Sequence, residues 1–269
     1  MSAVVAARRG RPSAIGAVFE HRLLAYRKTF RASLFSSFVG PVLYLTAMGL
    51  GLGQYVQGGS GTLGGVPYIV FLAPGLLVAT AMQSGTFEAT FPVMNGLVWD
   101  RIYHAMYATP IGGRDIALGN LLWIAARLTL ITTVFTAVVF LFGAADSVLF
   151  VLAIPVAVLT GLSFSGPVAA FAATQRNTER FNMLFRFGIM PLFLFSGTFF
   201  PIEQLPLPLQ AVAWLTPLYH GVALARGLSL GLIGDAPLLA LAHLAFLVVF
   251  ASVGAVLAAR SISTRLVRG

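Results

Sequence analysis

Few residues in this chain can do chemistry, and their spacing excludes more than it suggests. Cysteine is absent, which removes disulfides, thiolate metal sites and cysteine nucleophiles together. Lys28 is the only lysine and follows Arg27, so there is no Gly-Lys phosphate loop and nucleotide energy must come from a partner. Ser165-Gly166, Ser196-Gly197 and His243 allow an intramembrane serine hydrolase to be imagined, but neither G-x-S-G nor H-E-x-x-H spacing supports it. Small residues at such positions let helices approach closely, and His243 is expected to face a neighbouring helix or a cavity. No catalytic residue and no metal ligand is assigned.

Three groups of residues remain. Glu88 and Arg127 flank one cytoplasmic loop, and an arginine at membrane depth is costly unless paired or wet. They are expected to form an ion pair locking the second and third spans, with a substrate contact as the alternative. The loop itself reads "FPVMNGLVWDRIYHAMYATPIGGRD". Its middle, Trp99 to Tyr107, predicts a short amphipathic helix stopped at Thr109-Pro110, with Gly112-Gly113 turning the chain before Asp115 caps the next helix. Trp99, Arg101, Tyr103 and Tyr107 suit insertion into a partner's groove, and the alternative is a helix lying on the membrane face.

The third group lies in "FLFSGTFFPIEQLPLPLQ", Phe193 to Gln210, an apolar run that meets a glutamate and three prolines within eight residues. A helix ending at Pro201 with Glu203 near the headgroups, then Leu205 to Trp214 and Leu218 to Leu230 broken at Pro206, Pro208 and Pro217, is too interrupted to span. Its backbone can satisfy itself only in short helices at the interface or against protein. Phe199, Pro201, Glu203, Trp214, Tyr219 and His220 are the candidate residues of this external hairpin, the aromatic rings favouring headgroup depth.

The elements that position these groups follow from composition. The chain has 269 residues, 58% hydrophobic and 9% charged, with mean hydropathy +0.90, where soluble domains carry about a quarter charged residues. It is a membrane protein, all-α, with six apolar segments: Ala32 to Gly53, Pro67 to Phe87, Ile116 to Phe142, Val148 to Ala173, Phe181 to Phe200 and Pro237 to Ala259. Each is near the ~20 residues that a ~30 Å hydrocarbon core requires.

The net charge of +9 is topological rather than a nucleic-acid footprint. Of the 17 Lys and Arg residues, all but Arg127, inside a span, and Arg226, beyond the fifth, fall on the side of the N-terminus. The positive-inside rule therefore puts both termini in the cytoplasm. The predicted organisation is a tail and interfacial helix over 1–31, a transmembrane domain over 32–259 and a C-terminal tail over 260–269. The coupling loop is 90–115 and the external hairpin 201–234. Over Ser13 to Arg31, Ile15, Val18, Phe19, Leu23, Tyr26 and Phe30 share one face opposite Glu20, His21, Arg27, Lys28 and Arg31, which predicts a helix lying in the headgroup boundary, a soluble basic tail being the alternative.

These segments also carry a family likeness. The aromatic-rich loop ending in "ATP" before the third span, "FSGTFFPIEQLP" closing the fifth, "LTPLYHGVALARGLSLG" before the sixth, and "YIVFLAPGLLVATAM" with "FEATF" in the second resemble the type-2 ATP-binding-cassette export permeases. The branch they resemble includes nodulation lipo-oligosaccharide and daunorubicin-type exporters. The likeness runs from about Ala14 to Arg260 and is most specific over Phe195 to Pro206.

That resemblance implies a six-span permease of the bacterial plasma membrane that pairs with a second copy or a close paralogue. It also implies two cytoplasmic ATP-binding-cassette ATPase subunits, which carry the ATP and Mg, this chain holding no cofactor. Trp99 to Pro110 becomes the coupling helix, Pro110 ending it, and the segment after Phe200 becomes two short helices re-entering the outer leaflet. The function expected is export of a hydrophobic or amphipathic molecule, drug-like or lipid-linked, among membrane lipids. The alternative is an ion-coupled carrier acting alone, against which the scarcity of central carboxylates counts.

Overall fold

A computed structural model describes residues 13–52, 65–145, 147–234 and 236–268. The start of the N-terminal tail with Arg8, Arg9 and Arg11, all but the end of the 57–65 loop expected to be external, and Asp235 lie outside the described residues. Those described are overwhelmingly helical. The helices are α1 (Ala14–Arg27), α2 (Phe30–Tyr44), α3 (Tyr68–Met94), α4 (Ile102–Tyr107), α5 (Gly113–Leu141), α6 (Ala153–Thr174), α7 (Glu179–Met183), α8 (Met190–Phe195), α9 (Leu207–Trp214), α10 (Pro217–Ser229) and α11 (Pro237–Arg268).

Five helical stretches among the described residues are long and apolar enough to cross a membrane: Phe30–Gly49, Tyr68–Trp99, Gly113–Leu141, Val148–Thr174 and Pro237–Arg268. The expected fifth segment is built differently. Helix α7, a wide π turn over Leu184–Ile189 and α8 run on without a gap, but the helix stops at Phe195 rather than Phe200. Gly197 just beyond takes φ +81°, a conformation that costs a glycine little and ends a helix as a left-handed C-terminal residue does.

Helix α3 is the centre. Of its span, 78% is buried, against 17% for those of α2 and α11. Backbone contact at small residues allows this density. An added Cβ on Gly85 of α3 would stand 2.9 Å from the Gly161 carbonyl of α6, and one on Gly166 would stand 2.5 Å from the Gly254 carbonyl carbon of α11. No larger residue fits either crossing without moving a backbone. Ser165 spends its hydroxyl on the Gly161 carbonyl of its own helix, the packing role expected of that pair.

Helix α1 is shorter than the expected Ser13 to Arg31 and less detached. Ser13 caps it by accepting the Gly16 N–H, and a turn at Lys28-Thr29 separates it from α2. Val18 is fully buried where α1 meets α5 at Gly119, and Phe19 and Tyr26 pack on Trp123 with ring centroids 6.0 and 5.3 Å apart. Leu23 and Phe30 of the predicted stripe stay exposed. The apolar face is therefore divided between protein and whatever surrounds it.

Candidate functional site

The loop between α3 and α5 is assembled from both sides. Helix α3 runs on through a π turn, Asn95–Trp99, and Asn95 Nδ2 donates to the Asp100 carboxylate across 2.6 Å. Arg101 then takes φ 53°, the one positive φ at a described non-glycine residue, so the chain reverses before α4. That strain of about 1 kcal/mol or more for a side chain with a Cβ is held by its surroundings. After α4 the Asp115 carboxylate accepts the Gly112 N–H at 3.0 Å, the cap expected of it.

Trp99, Arg101, Tyr107 and Pro110 are exposed on this loop, while Tyr103 is buried. The expectation that all four aromatic and arginine residues face a partner is corrected for Tyr103. Its ring lies over Gly96, where a Cβ would come within 2.7 Å of it, and its hydroxyl accepts a hydrogen bond from Arg22 of α1. Burial pushes that hydroxyl above its usual value of 10, so it meets the guanidinium as a neutral acceptor. Arg22 also reaches the Pro92 carbonyl at 3.4 Å. Trp99 belongs to the end of α3 rather than to α4, because the Arg101 reversal falls between them.

Beside Tyr103, both ring nitrogens of His104 are enclosed without a hydrogen-bond partner. Burial first, then the positive charges of Arg101 and Arg265, hold this imidazole below its ordinary value.

Deeper in the bundle, Arg127 Nε stands 3.4 Å from Glu88 Oε1, both side chains mostly buried. The predicted pair therefore meets, and two further groups join it. Arg127 donates to Ser33 of α2, and its guanidinium lies over the Tyr26 ring, 4.4 Å from the centroid. One arginine thus ties α1, α2, α3 and α5 at one point.

The pair borders a cleft of about 530 Å³ between α2, α3, α5 and the α7–α8 helix. Ser36, Ser37, Thr80, Gln83 and Ser84 give it polar groups, and Phe87, Phe185 and Met190 give it apolar wall. Polar side chains at membrane depth face a bundle interior or a cavity that holds water or ligand. A cleft apolar in area with a few convergent polar groups is the usual form of a small-molecule site.

At the opposite end, the segment after Phe195 folds as short pieces: a 3₁₀ turn over Ile202–Gln204, then α9 and α10. Prolines open both helices at their first turns, where no N–H is missed. The Tyr68 hydroxyl donates to the Phe199 carbonyl at 3.2 Å, and Gln210 Nε2 donates to the Leu205 carbonyl at 2.8 Å, closing the turn. Phe199 is buried, Pro201 half-buried, and Glu203 and Trp214 exposed.

His220 Nε2 lies 2.9 Å from the Trp214 carbonyl and its Nδ1 lies 2.7 Å from His243 Nδ1. A carbonyl only accepts, so His220 Nε2 carries the proton and the neutral ring's Nδ1 accepts from His243. His243 thus faces a neighbouring helix, as expected. Tyr219 sits against both rings.

Arg226 of α10 is the residue that sequence reasoning left unassigned. It donates to the Gly197 carbonyl at 2.9 Å and the Phe71 carbonyl at 3.3 Å, and lies 3.7 Å above the Phe71 ring. It clamps the broken end of α8 and the start of α3 together. Its signal in the sequence was its isolation, as the one basic residue expected on the side opposite the termini. Among the described residues no group of three histidine or acidic side chains could hold a metal.

Comparison with known proteins adds to this geometry. A family described as "ABC-2 type transporter" matches residues 13–230. The chain is 32% identical over 215 residues to nodulation protein J of Rhizobium leguminosarum bv. viciae, covering 80% of this chain and 82% of that one. It is 33% identical to nodulation protein J of Rhizobium meliloti (strain 1021), covering 80% of each, and 26% identical to that of Azorhizobium caulinodans, covering 77% and 80%.

Proposed function

Because the chain belongs to the ABC-2 type transporter family, we propose that it is the permease subunit of an ATP-binding-cassette exporter, moving an amphipathic molecule outward. The observation that carries the reading is the cleft beside Glu88 and Arg127. Its hydroxyl and amide groups stand among apolar walls, which suits a cargo with a polar head and an apolar body, such as a lipid-linked oligosaccharide or a drug-like amphiphile.

The remaining parts take places around that cleft. Power comes from a separate ATPase, which holds the ATP and Mg and seats on Trp99, Arg101, Tyr107 and Pro110, with Tyr103 and Arg22 fixing the loop behind them. The sparsely buried α2 and α11 leave surface for lipid and for a second copy or paralogue. Glu179–Phe195 is the fifth crossing, which brings the count to six and is completed by the 196–200 turn, and α9 with α10 re-enters the outer leaflet. The membrane domain is 32–259 with both termini cytoplasmic in the bacterial inner membrane, since the basic residues gather at one end.

Reconstitution with the candidate ATPase in vesicles is the test. Efflux of a fluorescent amphiphile that needs both ATP and the ATPase supports the reading, whereas transport by this chain alone under a proton gradient replaces it with an ion-coupled carrier. The chain lacks cysteine, so labelling can report topology. Gln204→Cys should react with an impermeant reagent in intact cells and Ser263→Cys should not.

A further inference from the structure

The start of α5 and the end of α11 meet at the end of the bundle that carries the coupling loop. Gly113 makes the meeting close, because an added Cβ would come within 2.7 Å of the Ser263 Cα. A crevice of about 630 Å³ opens beside this contact, lined by Arg114, Leu118, Ala255, Val256, Ala259, Arg260, Ser263 and Thr264.

The order of those residues gives the crevice a direction. The helices run antiparallel here, so Arg114 on α5 and Arg260, Ser263 and Thr264 on α11 lie at the rim. Leu118 lies about one helical turn, ~6 Å, deeper than Arg114, and Ala255 and Val256 lie about one turn, ~6–8 Å, deeper than Arg260. A second crevice around the far side of α11 shares Arg260 and Thr264 and adds Arg265 and Arg268. No acidic side chain among the described residues lines either one.

We propose that this crevice binds one anionic phospholipid. The phosphate is held by Arg114 and Arg260 with the Thr264 hydroxyl, and the start of an acyl chain lies along Leu118, Ala255 and Val256. Two guanidiniums and a hydroxyl at headgroup depth match a phosphodiester in charge and in donor number, and the apolar floor excludes a purely polar anion as the better fit. Arg114 and Arg260 are exposed and free of carboxylate partners among the described residues, where Glu88–Arg127 is the ion pair present. The crevice shares no lining residue with the cleft beside Glu88 and Arg127. A lipid there would fasten together the start of α5 and the end of α11, whose close contact lies beside α4.

Native mass spectrometry of the detergent-purified full chain, titrated with phosphatidylglycerol and separately with phosphatidylcholine, tests this. We expect one phosphatidylglycerol retained preferentially. Arg114→Gln with Arg260→Gln should weaken retention about thirtyfold, as two interfacial arginines would, while Arg8→Gln with Arg9→Gln, the same charge loss in the N-terminal tail, should not. Equal weakening in both double variants, no preference for phosphatidylglycerol in the parent, or displacement by millimolar inorganic phosphate would each overturn the proposal. So would unchanged lipid retention together with lost ATPase copurification, which would make the crevice a protein interface. Circular dichroism melting of each variant checks that folding is retained. If Arg114→Gln with Arg260→Gln melts early, Thr264→Val, which keeps shape and charge, must then show the weakened retention by itself.

Discussion

Arg22 and Tyr103, 81 residues apart, are joined by a hydrogen bond from the guanidinium to the phenol. This links the N-terminal helix directly to the coupling loop. A movement of that loop therefore strains α1, which is itself seated on α5 through Val18 and Trp123. If an ATPase seats on the loop as proposed, this bond would carry its push to α1.

Tyr103→Phe, which keeps the ring and removes the hydroxyl, should lower unfolding stability by about 1–2 kcal/mol. Arg22→Gln should do the same, and the double variant should be little worse than either single one because they share one bond. Tyr103→Ala also empties a buried site and should cost about 3–5 kcal/mol. Melting in detergent checks this, and strict additivity of the two single changes would mean that the bond contributes nothing.

Trp99→Ala and Tyr107→Ala should leave melting within about 0.5 kcal/mol of the parent, since both rings are exposed. Copurification of the ATPase should fall by about tenfold or more, as it does when an aromatic anchor is lost from a small interface. Unchanged binding and unchanged stimulated ATPase activity would assign these rings to the membrane surface.

Glu88→Gln leaves Arg127 with Ser33 and Tyr26 but no counter-charge. A wholly buried pair broken on one side loses about 3–5 kcal/mol, and this partly accessible one should lose about 1–3. Glu88→Gln combined with Arg127→Gln should recover part of that loss and export normally per assembled complex. Full assembly with lost efflux would assign the pair to the cargo instead.

His104 links the coupling loop to pH. Its value in the folded chain lies below the ordinary 6.5, so above 6.5 both folded and opened loops hold it neutral and the seating is intact. As pH falls through 6.5 toward the folded value, the opened loop takes up the proton first and stability is lost. Hydrogen exchange over residues 102–107, corrected for intrinsic rate, should show less protection at about pH 5.5 than at about pH 7.5, and His104→Gln should remove the difference.

The hairpin should matter for release more than for folding. Glu203 is exposed, and an exposed carboxylate at headgroup level costs little, so Glu203→Gln should insert and assemble as the parent does. Pro201→Leu releases the fixed φ that opens the Ile202–Gln204 turn and should lower efflux by several fold with assembly and the bound ATPase retained. Efflux and assembled complex are measured in the same membranes. A one-for-one fall of both would make the hairpin a structural lid.

Much of this protein was legible in order along the chain. Hydropathy sums over a segment and needs no neighbour, so the membrane class and the long helices could be read directly. Proline fixes its own φ and lacks its own N–H, so the breaks at Pro206 and Pro217 appear where the sequence puts them. Asp115 caps α5 through a group three residues away. The Glu88–Arg127 contact was also legible, because two charges at membrane depth on adjacent spans have few other ways to be satisfied. The end of the fifth helix at Phe195 was less so, since apolar residues continue to Phe200 and only Gly197's backbone conformation marks the stop.

What tertiary structure decided is which face meets which helix. Periodicity gives Tyr103 a place on one side of α4, yet burial against Gly96 and bonding to Arg22 depend on α1 lying beside the loop. Arg226 looked like an isolated external charge until Phe71, 155 residues away, and the Gly197 turn came together around it. Ser33 joined Arg127 across 94 residues, and the cleft beside them exists only where three spans and the α7–α8 helix leave space. Spacing along one helix fixes angles about its own axis; the partner on each side is set by the packing of all the helices at once, through contacts too distant in sequence for any local pattern to record.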